Sequence, residues 1–210
     1  MPDKNQLEAM LMARHTPKVH SKVKKASIAV LGLGGLGSSI AVQLARTGVG
    51  ALHLIDFDVV EPSNLNRQHY SIKHLGMFKT KALQKQILEI NPYVKVTVHN
   101  VKLTEKNIAD YIKDDEIICE AFDQPECKAM AVNTVMEKFP QKYMVASSGM
   151  AGLESSNAII TKKLSKYLYI CGDGITGAKQ GCGLMAPRVS ICAGHMANMI
   201  LRIITENYSV

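Results

Sequence analysis

A glycine-rich turn between an apolar run and a helical pattern constrains the fold most. Residues 28–31 read Ile-Ala-Val-Leu, which is typical of a buried strand, and residues 32–37 read Gly-Leu-Gly-Gly-Leu-Gly. Apolar residues then recur at helical spacing through residues 40–45 until further glycines end the pattern. An apolar run at residues 52–55 follows as a second strand. We therefore expect a strand–helix–strand unit, which is the building block of a parallel sheet.

The same alternation continues along the chain. Helices are predicted at residues 79–90, 108–112 and 126–139, and strands at residues 94–98, 116–120 and 142–147. Beyond residue 148 we predict two short strands (157–161 and 167–171), a glycine-rich mobile loop (172–183) and a last helix (188–205). The prediction is an α/β, Rossmann-like, mostly parallel sheet with helices on both faces and a short antiparallel extension. Residues 1–25 are expected to form an N-terminal helix (7–14) and a basic connector, and residues 26–210 a single domain that contains the glycine turn.

Composition excludes several classes of protein. Hydrophobic residues make up 47% of the 210 residues and charged residues 20%, which predicts a globular chain rather than a disordered one. The net charge of +7 suits a phosphorylated ligand, an acidic partner or nucleic acid, but the lysine-rich stretches near residues 18–25 and 162–166 show no interleaved aromatics. The first residues lack the apolar core of a secretory signal, so we expect a cytoplasmic protein without a membrane span. The five cysteines form no Cys-x-x-Cys pair, so no zinc is expected.

The glycine turn has the spacing of a nucleotide site. In such a turn, glycines such as Gly34 and Gly35 let backbone N–H groups and a helix N-terminus approach phosphate. Asp56 follows Gly37 by nineteen residues, at the predicted end of the second strand, where a carboxylate can hold ribose hydroxyls. The alternative is a turn that only packs the helix against the sheet.

Polar residues after Asp56 favour chemistry on ATP over hydride transfer. The hydrogen-bond donors Asn64, Arg67, Gln68 and Lys79 follow within a short stretch of chain and suit phosphate oxygens during transfer. Asp123 ends the predicted fourth strand and is a candidate Mg²⁺ ligand. The alternatives are a helix capped by Ser63 with a solvated face, and an ordinary turn aspartate at residue 123.

These motifs resemble the ubiquitin-activating-enzyme-like adenylyltransferases, in particular the ThiF-type enzymes that activate the sulfur carrier protein of thiamine biosynthesis. The resemblance rests on residues 32–38, 56–68, 76–79, 123 and 183–187. It implies that Asp56 binds ribose, that Asn64, Arg67, Gln68 and Lys79 hold the triphosphate, and that Asp123 holds the metal. The implied reaction is attack of a carrier's terminal glycine carboxylate on the α-phosphate of ATP.

The resemblance also implies a homodimer and a crossover loop over the carrier's tail at residues 172–183. Arg14 is the candidate for an arginine that this family donates across the dimer interface, the alternative being a surface arginine. Cys182 is the offset counterpart of a sulfur-transfer cysteine, the alternative being a merely tolerated thiol. The family's zinc motifs and its usual C-terminal extension are absent from the sequence, which fits a compact, zinc-free variant.

Two other functions remain open at this stage. Relatives in the same superfamily activate a carboxylate on a modified tRNA nucleoside, with which the +7 charge is compatible. A nicotinamide-dependent oxidoreductase or a non-catalytic nucleotide sensor would share the glycine turn.

Overall fold

A computed structural model describes residues 3–178 and 182–210 and shows the predicted α/β architecture. The strands are β1 (Ser27–Leu31), β2 (Ala51–Asp56), β3 (Lys95–Asn100), β4 (Ile117–Glu120), β5 (Tyr143–Ser147), β6 (Ile160–Lys163) and β7 (Leu168–Gly172). The helices are α1 (Lys4–His15), α2 (Pro17–Val23), α3 (Gly35–Arg46), α4 (Lys79–Ile90), α5 (Ile108–Ile112), α6 (Pro125–Lys138) and α7 (Ala186–Ile204).

The seven strands form one sheet in the order β3-β2-β1-β4-β5-β7-β6. All neighbouring pairs are parallel except β6 and β7, which are antiparallel as expected for the extension. From β1 the chain builds outward to β2 and β3, and it then crosses to β4 on the other side of β1. This reversal creates a crevice at the carboxyl ends of β1 and β4, which is where ligands bind in sheets of this kind.

The core lies on both faces of the sheet. One apolar cluster includes side chains of α3, α4 and α7, and a second cluster includes side chains of α5 and α6. The central strand β1 is buried on both sides, with residues 28–31 fully inaccessible to solvent. Continuous apolar strands are what a sheet covered on both faces requires.

The N-terminal segment differs from the prediction in two respects, the first being that α1 spans Lys4–His15 rather than residues 7–14. The second is that the basic connector contains α2, which begins with Pro17 at its first position after Thr16, a residue with a positive φ of 71°. Leu11 of α1 packs against Gly48, just before the amino end of β2. The N-terminal helices thus lie at the amino ends of the strands, whereas the crevice lies at their carboxyl ends.

The predicted strand at residues 157–161 was placed too early. Ser156–Ala158 forms a 3-10 turn capped by the Ser155 side chain, and β6 then includes Lys162 and Lys163, which lie beyond the end of the predicted strand. Residues 179–181 of the predicted glycine-rich loop lie outside the described residues. No helix in the described ranges is both long and apolar enough to cross a membrane.

In the folded protein, aromatic rings lie beside two of the basic residues, although none is interleaved with them in the sequence. Lys163 lies over the ring of Tyr169 and Lys166 over the ring of Tyr167. Tyr143 stacks on Tyr208. These rings contact one another and the lysines, so their faces are engaged within the fold.

Candidate functional site

The glycine turn between β1 and α3 is too tight for side chains at two of its positions. Gly32 has a positive φ of 86°, and a Cβ atom at Gly37 would lie 1.8 Å from the Gly32 carbonyl oxygen. At Gly34 the nearest atom to such a Cβ would be Gln68 Nε2 at 3.9 Å. Gly37 therefore closes the turn, whereas Gly34 leaves room beside the start of α3.

Leu33, inside this turn, is held at both of its backbone polar groups. Its N–H donates to Asp56 Oδ2 at 2.6 Å, and its carbonyl accepts from the buried Tyr70 hydroxyl at 2.9 Å. Ser38 Oγ donates to the Gly34 carbonyl at 2.6 Å and accepts the His69 N–H at 3.0 Å. The turn is thus fixed by side chains from β2 and from the polar run after it.

Asp56 ends β2 and is 8% exposed. Its Oδ1 atom accepts the Asp58 N–H at 2.7 Å, so both carboxylate oxygens accept backbone N–H groups. Burial raises the pKa of Asp56, and the N–H of Asp58, the charge of Lys79 and the N–H of Leu33 oppose that rise. A carboxylate has about four lone-pair sites, so two remain for a ligand.

Lys79 is the first residue of α4 and is 6% exposed. Its ammonium group donates to Asp58 Oδ2 at 2.7 Å. The backbone N–H of Lys79 also donates to the Asp58 carbonyl. Asp58 therefore fixes this cation beside the carboxyl end of β2, close enough to influence Asp56.

Arg67 and Gln68 lie against the glycine turn, and Asn64 precedes them in the chain. Pro62–Asn64 is a short 3-10 turn in which Asn64 Oδ1 accepts the Glu61 N–H at 3.0 Å. A Cβ atom at Gly35 would lie 3.5 Å from Arg67 Cγ, and Gln68 approaches Gly34. The Gln68 Oε1 atom is buried without a hydrogen-bond partner in the described structure. Such an orphaned acceptor beside an open turn is consistent with a polar ligand.

Asp123 lies where the chain leaves β4 and enters α6. It is exposed, and the preceding Phe122 contacts the Gly32 position of the glycine turn. Among residues 3–178 and 182–210, no cluster of three or more His, Cys, Asp or Glu side chains is arranged to hold a metal. Mg²⁺ bound mainly by phosphate oxygens needs only one or two carboxylates, so a single exposed aspartate fits that group.

Buried polar residues surround the carboxyl ends of β4, β5 and β7. Glu120 is fully buried and accepts from the Lys128 ammonium group at 3.1 Å. Burial raises the pKa of Glu120, against the opposing charge of Lys128. Lys128 also donates to Ser147 Oγ at 2.6 Å.

Two residues that the sequence analysis singled out, Arg14 and Cys182, are not part of the group around the glycine turn. Arg14 is exposed near the end of α1, the helix that packs at the amino edge of the sheet. Cys182 is partly buried, and its sulfur lies 3.1 Å from the position of a Cβ atom at Gly152. The structure therefore places Asp56, Arg67 and Gln68 against the glycine turn and Lys79 beside Asp56, where Asp58 holds it. Asn64 bonds Glu61 and Ser63 in the segment just before Arg67, and Asp123 lies at the β4 side of the turn. Arg14 lies elsewhere.

Sequence reasoning missed the residues that hold the site in place. Tyr70 and Asp58 lie within or next to the polar run, where a tyrosine two residues after Gln68 was the available signal. Ser38 was part of the quoted glycine motif, but its hydrogen bond to residue 69 spans 31 positions. Glu120 is the last residue of β4, and the sequence analysis selected Asp123, the next carboxylate along the chain, instead.

Comparison with known proteins identifies the family. The model of the ThiF family matches residues 7–209. The chain therefore belongs to the ThiF family.

The chain is similar to curated proteins over part of their length. The adenylyltransferase and sulfurtransferase UBA4 of Scheffersomyces stipitis is 29% identical over 200 residues, which cover 91% of this chain and 44% of that protein. The probable adenylyltransferase/sulfurtransferase MoeZ of Mycobacterium tuberculosis is 36% identical over 103 residues, covering 49% of this chain and 26% of that protein. The chain thus spans less than half the length of these relatives.

Solved structures share the fold. The E. coli tRNA N6-threonylcarbamoyladenosine dehydratase TcdA, solved in complex with ATP, superposes with a TM-score of 0.87 and 23% identity, covering 96% of this chain and 95% of that one. E. coli MccB, solved with ATP, superposes with a TM-score of 0.70 and 22% identity, covering 91% of this chain and 59% of that one. At these identities the likeness concerns the fold.

Proposed function

We propose that this protein uses Mg²⁺-ATP to adenylylate the C-terminal glycine carboxylate of a small ubiquitin-like sulfur carrier protein of thiamine biosynthesis, releasing pyrophosphate. The observation that carries the proposal is the meeting of Asp56, Gln68 and Lys79 at the glycine turn that opens α3. A carboxylate for ribose, an amide and a cation for phosphate, and a helix N-terminus then face one crevice.

The roles follow from the contacts. Asp56 retains acceptor capacity for ribose hydroxyls after it has bound two backbone N–H groups. Lys79 and Arg67 supply positive charge for the triphosphate, and Asn64 and Gln68 supply amide groups. Asp123 would hold Mg²⁺, which when bound with the triphosphate supplies further charge neutralisation.

The reaction needs alignment more than acid–base chemistry. The carrier's carboxylate is already a nucleophile, so its oxygen forms the new bond to the α-phosphorus while the bond from that phosphorus to the bridging oxygen of pyrophosphate breaks. The residues around the turn hold the two reactants in line and offset the negative charge of the phosphates. No serine or cysteine nucleophile is needed for this step, so Cys182 has no part in it.

A homodimer would complete the site. Because α1 packs at the amino edge of the sheet, away from the glycine turn, Arg14 would act at the phosphates only when donated by a second subunit. A cation at that position would add to the charge of Arg67 and Lys79.

A second candidate function is ATP-dependent activation of a carboxylate on a modified tRNA nucleoside. It is favoured by the end-to-end superposition on TcdA, which covers 96% of this chain. The net charge of +7 also suits a nucleic acid. Binding of tRNA would weaken steeply with salt.

The test is exchange of labelled pyrophosphate into ATP by the purified protein with ThiS-type carriers ending in Gly-Gly. We expect exchange only when carrier is present. Replacement of Lys79 by Met should reduce the exchange rate at least tenfold, because one cation at the phosphates is lost. The matched control is Lys81→Met, two positions along α4, where the side chain is exposed.

The possible outcomes separate the candidates. Absence of exchange with every carrier tested would reject the carrier proposal, and tRNA-dependent formation of AMP and pyrophosphate would support the second candidate. Stabilisation of the fold by NAD but not by ATP in a thermal-shift comparison would reject both. Equal exchange by the Lys79→Met and Lys81→Met variants would remove Lys79 from the site.

A further inference from the structure

Arg188 is a buried cation with unused hydrogen-bonding capacity. It lies in the first turn of α7 and is 4% exposed. Its Nη2 atom donates to Asp173 Oδ2, in the loop after β7. Its Nε and Nη1 atoms are buried and have no partner in the described part of the chain. Each buried N–H left unpaired costs about 1–3 kcal/mol, so the arrangement is unfavourable for the folded state alone.

The position of Arg188 adds to this cost. A cation in the first turn of a helix faces the positive end of the helix dipole. The next residue, Val189, lies 2.9 Å from the position of a Cβ atom at Gly35, so the starts of α3 and α7 lie side by side. Two helix N-termini and a guanidinium thus converge, which favours binding of an anion.

Other charges nearby are already paired. Lys128 donates to both oxygens of Glu120 and to Ser147 Oγ. Asp173 accepts from Thr176 Oγ1 and from the N–H groups of Ile175 and Thr176, in addition to Arg188. Burial alone would raise the pKa of Asp173, but the hydrogen bonds from Thr176 and Ile175 and the charge of Arg188 outweigh it and lower that pKa to about 2. Arg188 is left with two free donors in this group.

The location of Arg188 along the sheet indicates which of two anionic groups it would bind, the nucleotide phosphates or the carboxylate of the second substrate. Asp56, the proposed ribose ligand, ends β2, whereas Asp173 follows β7, four strands further along the order β2-β1-β4-β5-β7. At about 4.8 Å between strands, this separation is roughly 19 Å. Arg188 therefore lies on the side of the crevice away from the nucleoside, where the second substrate of an adenylyl transfer would enter.

We propose that Arg188 binds the terminal carboxylate of the acyl substrate through one of its free donors, Nε or Nη1. These two nitrogens do not share an edge of the guanidinium, so the carboxylate accepts from one of them in a charge-assisted hydrogen bond. This proposal rests on the proposed function, in which that carboxylate is the nucleophile. Arg188 is thereby a substrate-binding residue for the acyl side of the reaction.

Access to Arg188 requires movement of a short covering segment. Thr176 is tied to Asp173 by its N–H and hydroxyl, and its carbonyl accepts the N–H groups of Met150 and Ala151. In the proposed complex the carrier's tail displaces this segment. Asp173 holds Nη2 in place while Nε or Nη1 donates to the carboxylate.

The test uses the Arg188→Lys variant. Lysine keeps the charge opposite Asp173 but removes the unpartnered Nε and Nη1 donors, so thermal stability should be equal or higher. The KM for a ThiS-type carrier in pyrophosphate exchange should rise roughly 10- to 100-fold, as expected for a lost charged hydrogen bond. The Kd for Mg²⁺-ATP should change less than about twofold. Wild-type protein should bind the carrier with a free carboxylate more tightly than the same carrier with a C-terminal amide, and the variant should not.

The control is Arg202→Lys, near the other end of α7, where the side chain bonds Asn207 and Ser209. Its carrier KM should stay at the wild-type value. An unchanged carrier KM in Arg188→Lys, a parallel loss of ATP affinity, or unfolding of that variant below the assay temperature would each overturn the role of Arg188. Absence of exchange by wild-type protein would instead reject the proposed function, a result that the Arg188 variant cannot produce.

Discussion

Gly34 and Gly37 belong to one turn but lack a side chain for different reasons. A Cβ atom at Gly37 would lie 1.8 Å from a backbone oxygen, which cannot move without opening the turn. A Cβ atom at Gly34 would have only Gln68 Nε2 nearby, at 3.9 Å. Gly37 is required by the fold, and Gly34 leaves space that a nucleotide phosphate would use.

This difference predicts opposite behaviour for two alanine variants. Gly37→Ala should lower the free energy of unfolding by about 3 kcal/mol or more, because the overlap is with backbone. Gly34→Ala should change it by less than about 1 kcal/mol, yet it should weaken ATP binding because a methyl group then stands where phosphate approaches. Urea unfolding and ATP titration of both proteins measure these effects.

The wild-type protein and the Gly34→Ala variant form the matched pair for binding. If the variant binds ATP with wild-type affinity, the nucleotide does not lie over Gly34. A fully stable Gly37→Ala protein would show that the turn has an alternative conformation.

Residue positions that depend on local spacing could be predicted from the sequence, and contacts between distant segments could not. The position of Asp56 beside the glycine turn was predicted because its spacing after Gly37 is fixed by one helix and one strand. The Tyr70 hydroxyl reaches the Leu33 carbonyl across 37 positions, and Arg188 pairs with Asp173 across 15. No sequence period encodes such pairs, because they arise from the packing of separate elements.

At the scale of elements, helices with an apolar period were predicted well. α4 and α5 have the predicted bounds, since their apolar faces pack directly on the sheet or on a neighbouring helix. α2 was missed because Lys18, His20 and Lys22 dominate its short sequence, although Pro17 marks its start. β6 was misplaced because an edge strand has little buried surface, and its pattern is correspondingly weak.

The N-terminal helix α1 is expected to be the least protected of the longer helices. None of its residues is fully buried, and its start depends on a capping box between Asp3 and Gln6. Its amides should exchange with solvent faster than those of α3, in which residues 36–42 are buried. Asp3→Ala should remove about 1 kcal/mol from α1 and speed its exchange about fivefold.

Hydrogen exchange followed by mass spectrometry resolves the two helices. Exchange in α3 serves as the internal control and should not change in the Asp3→Ala variant. Protection of α1 that matches α3 at low protein concentration would contradict this prediction. If protection of α1 rises with protein concentration, α1 lies in a subunit interface, as a trans role for Arg14 requires.

At the scale of the whole molecule, the strand order places the site. The reversal of strand order at β1 brings the ends of β2, β1 and β4 together, so residues as distant as Asp56 and Asp123 flank one turn. The sequence pattern predicted parallel strands but not their order, because every βαβ unit has the same local pattern. The site could still be predicted to lie at the carboxyl ends of the strands, because ligands of such sheets bind there, where the strand order reverses.

Away from the glycine turn, β2 and β3 contribute to a chain of hydrogen-bonded titratable groups beside α5. Asp115 Oδ2 lies 2.8 Å from His53 Nδ1, and His53 Nε2 lies 2.7 Å from His99 Nδ1. These residues line a cavity of about 490 Å³ with Tyr111, whose ring contacts His99. Burial lowers the pKa of His99, and the neighbouring His53 lowers it further, against the opposing charge of Asp115.

This lowered pKa predicts how stability depends on pH. An unfolded histidine takes up its proton near pH 6.5, whereas His99 in the folded protein takes it up only at lower pH. Its contribution to stability is therefore fully present above about pH 6.5 and is lost as the pH falls through the folded pKa. Asp56 and Glu120 act in the opposite direction, since burial raises their pKa and protonation then favours the folded state. A variant is needed to separate these contributions.

His99→Asn provides that separation, because an asparagine amide can donate to His53 Nε2 in place of the ring but does not titrate. Both carboxylates are unchanged in the variant, so they cancel in the difference between the two proteins. The unfolding free energy of the wild type minus that of the variant should be constant from about pH 8 to 7 and should decrease as the pH falls from about 6.5 to 5. Urea titrations at fixed ionic strength measure it. A difference that stays flat, or that increases toward low pH, would show that burial does not hold His99 in its neutral form.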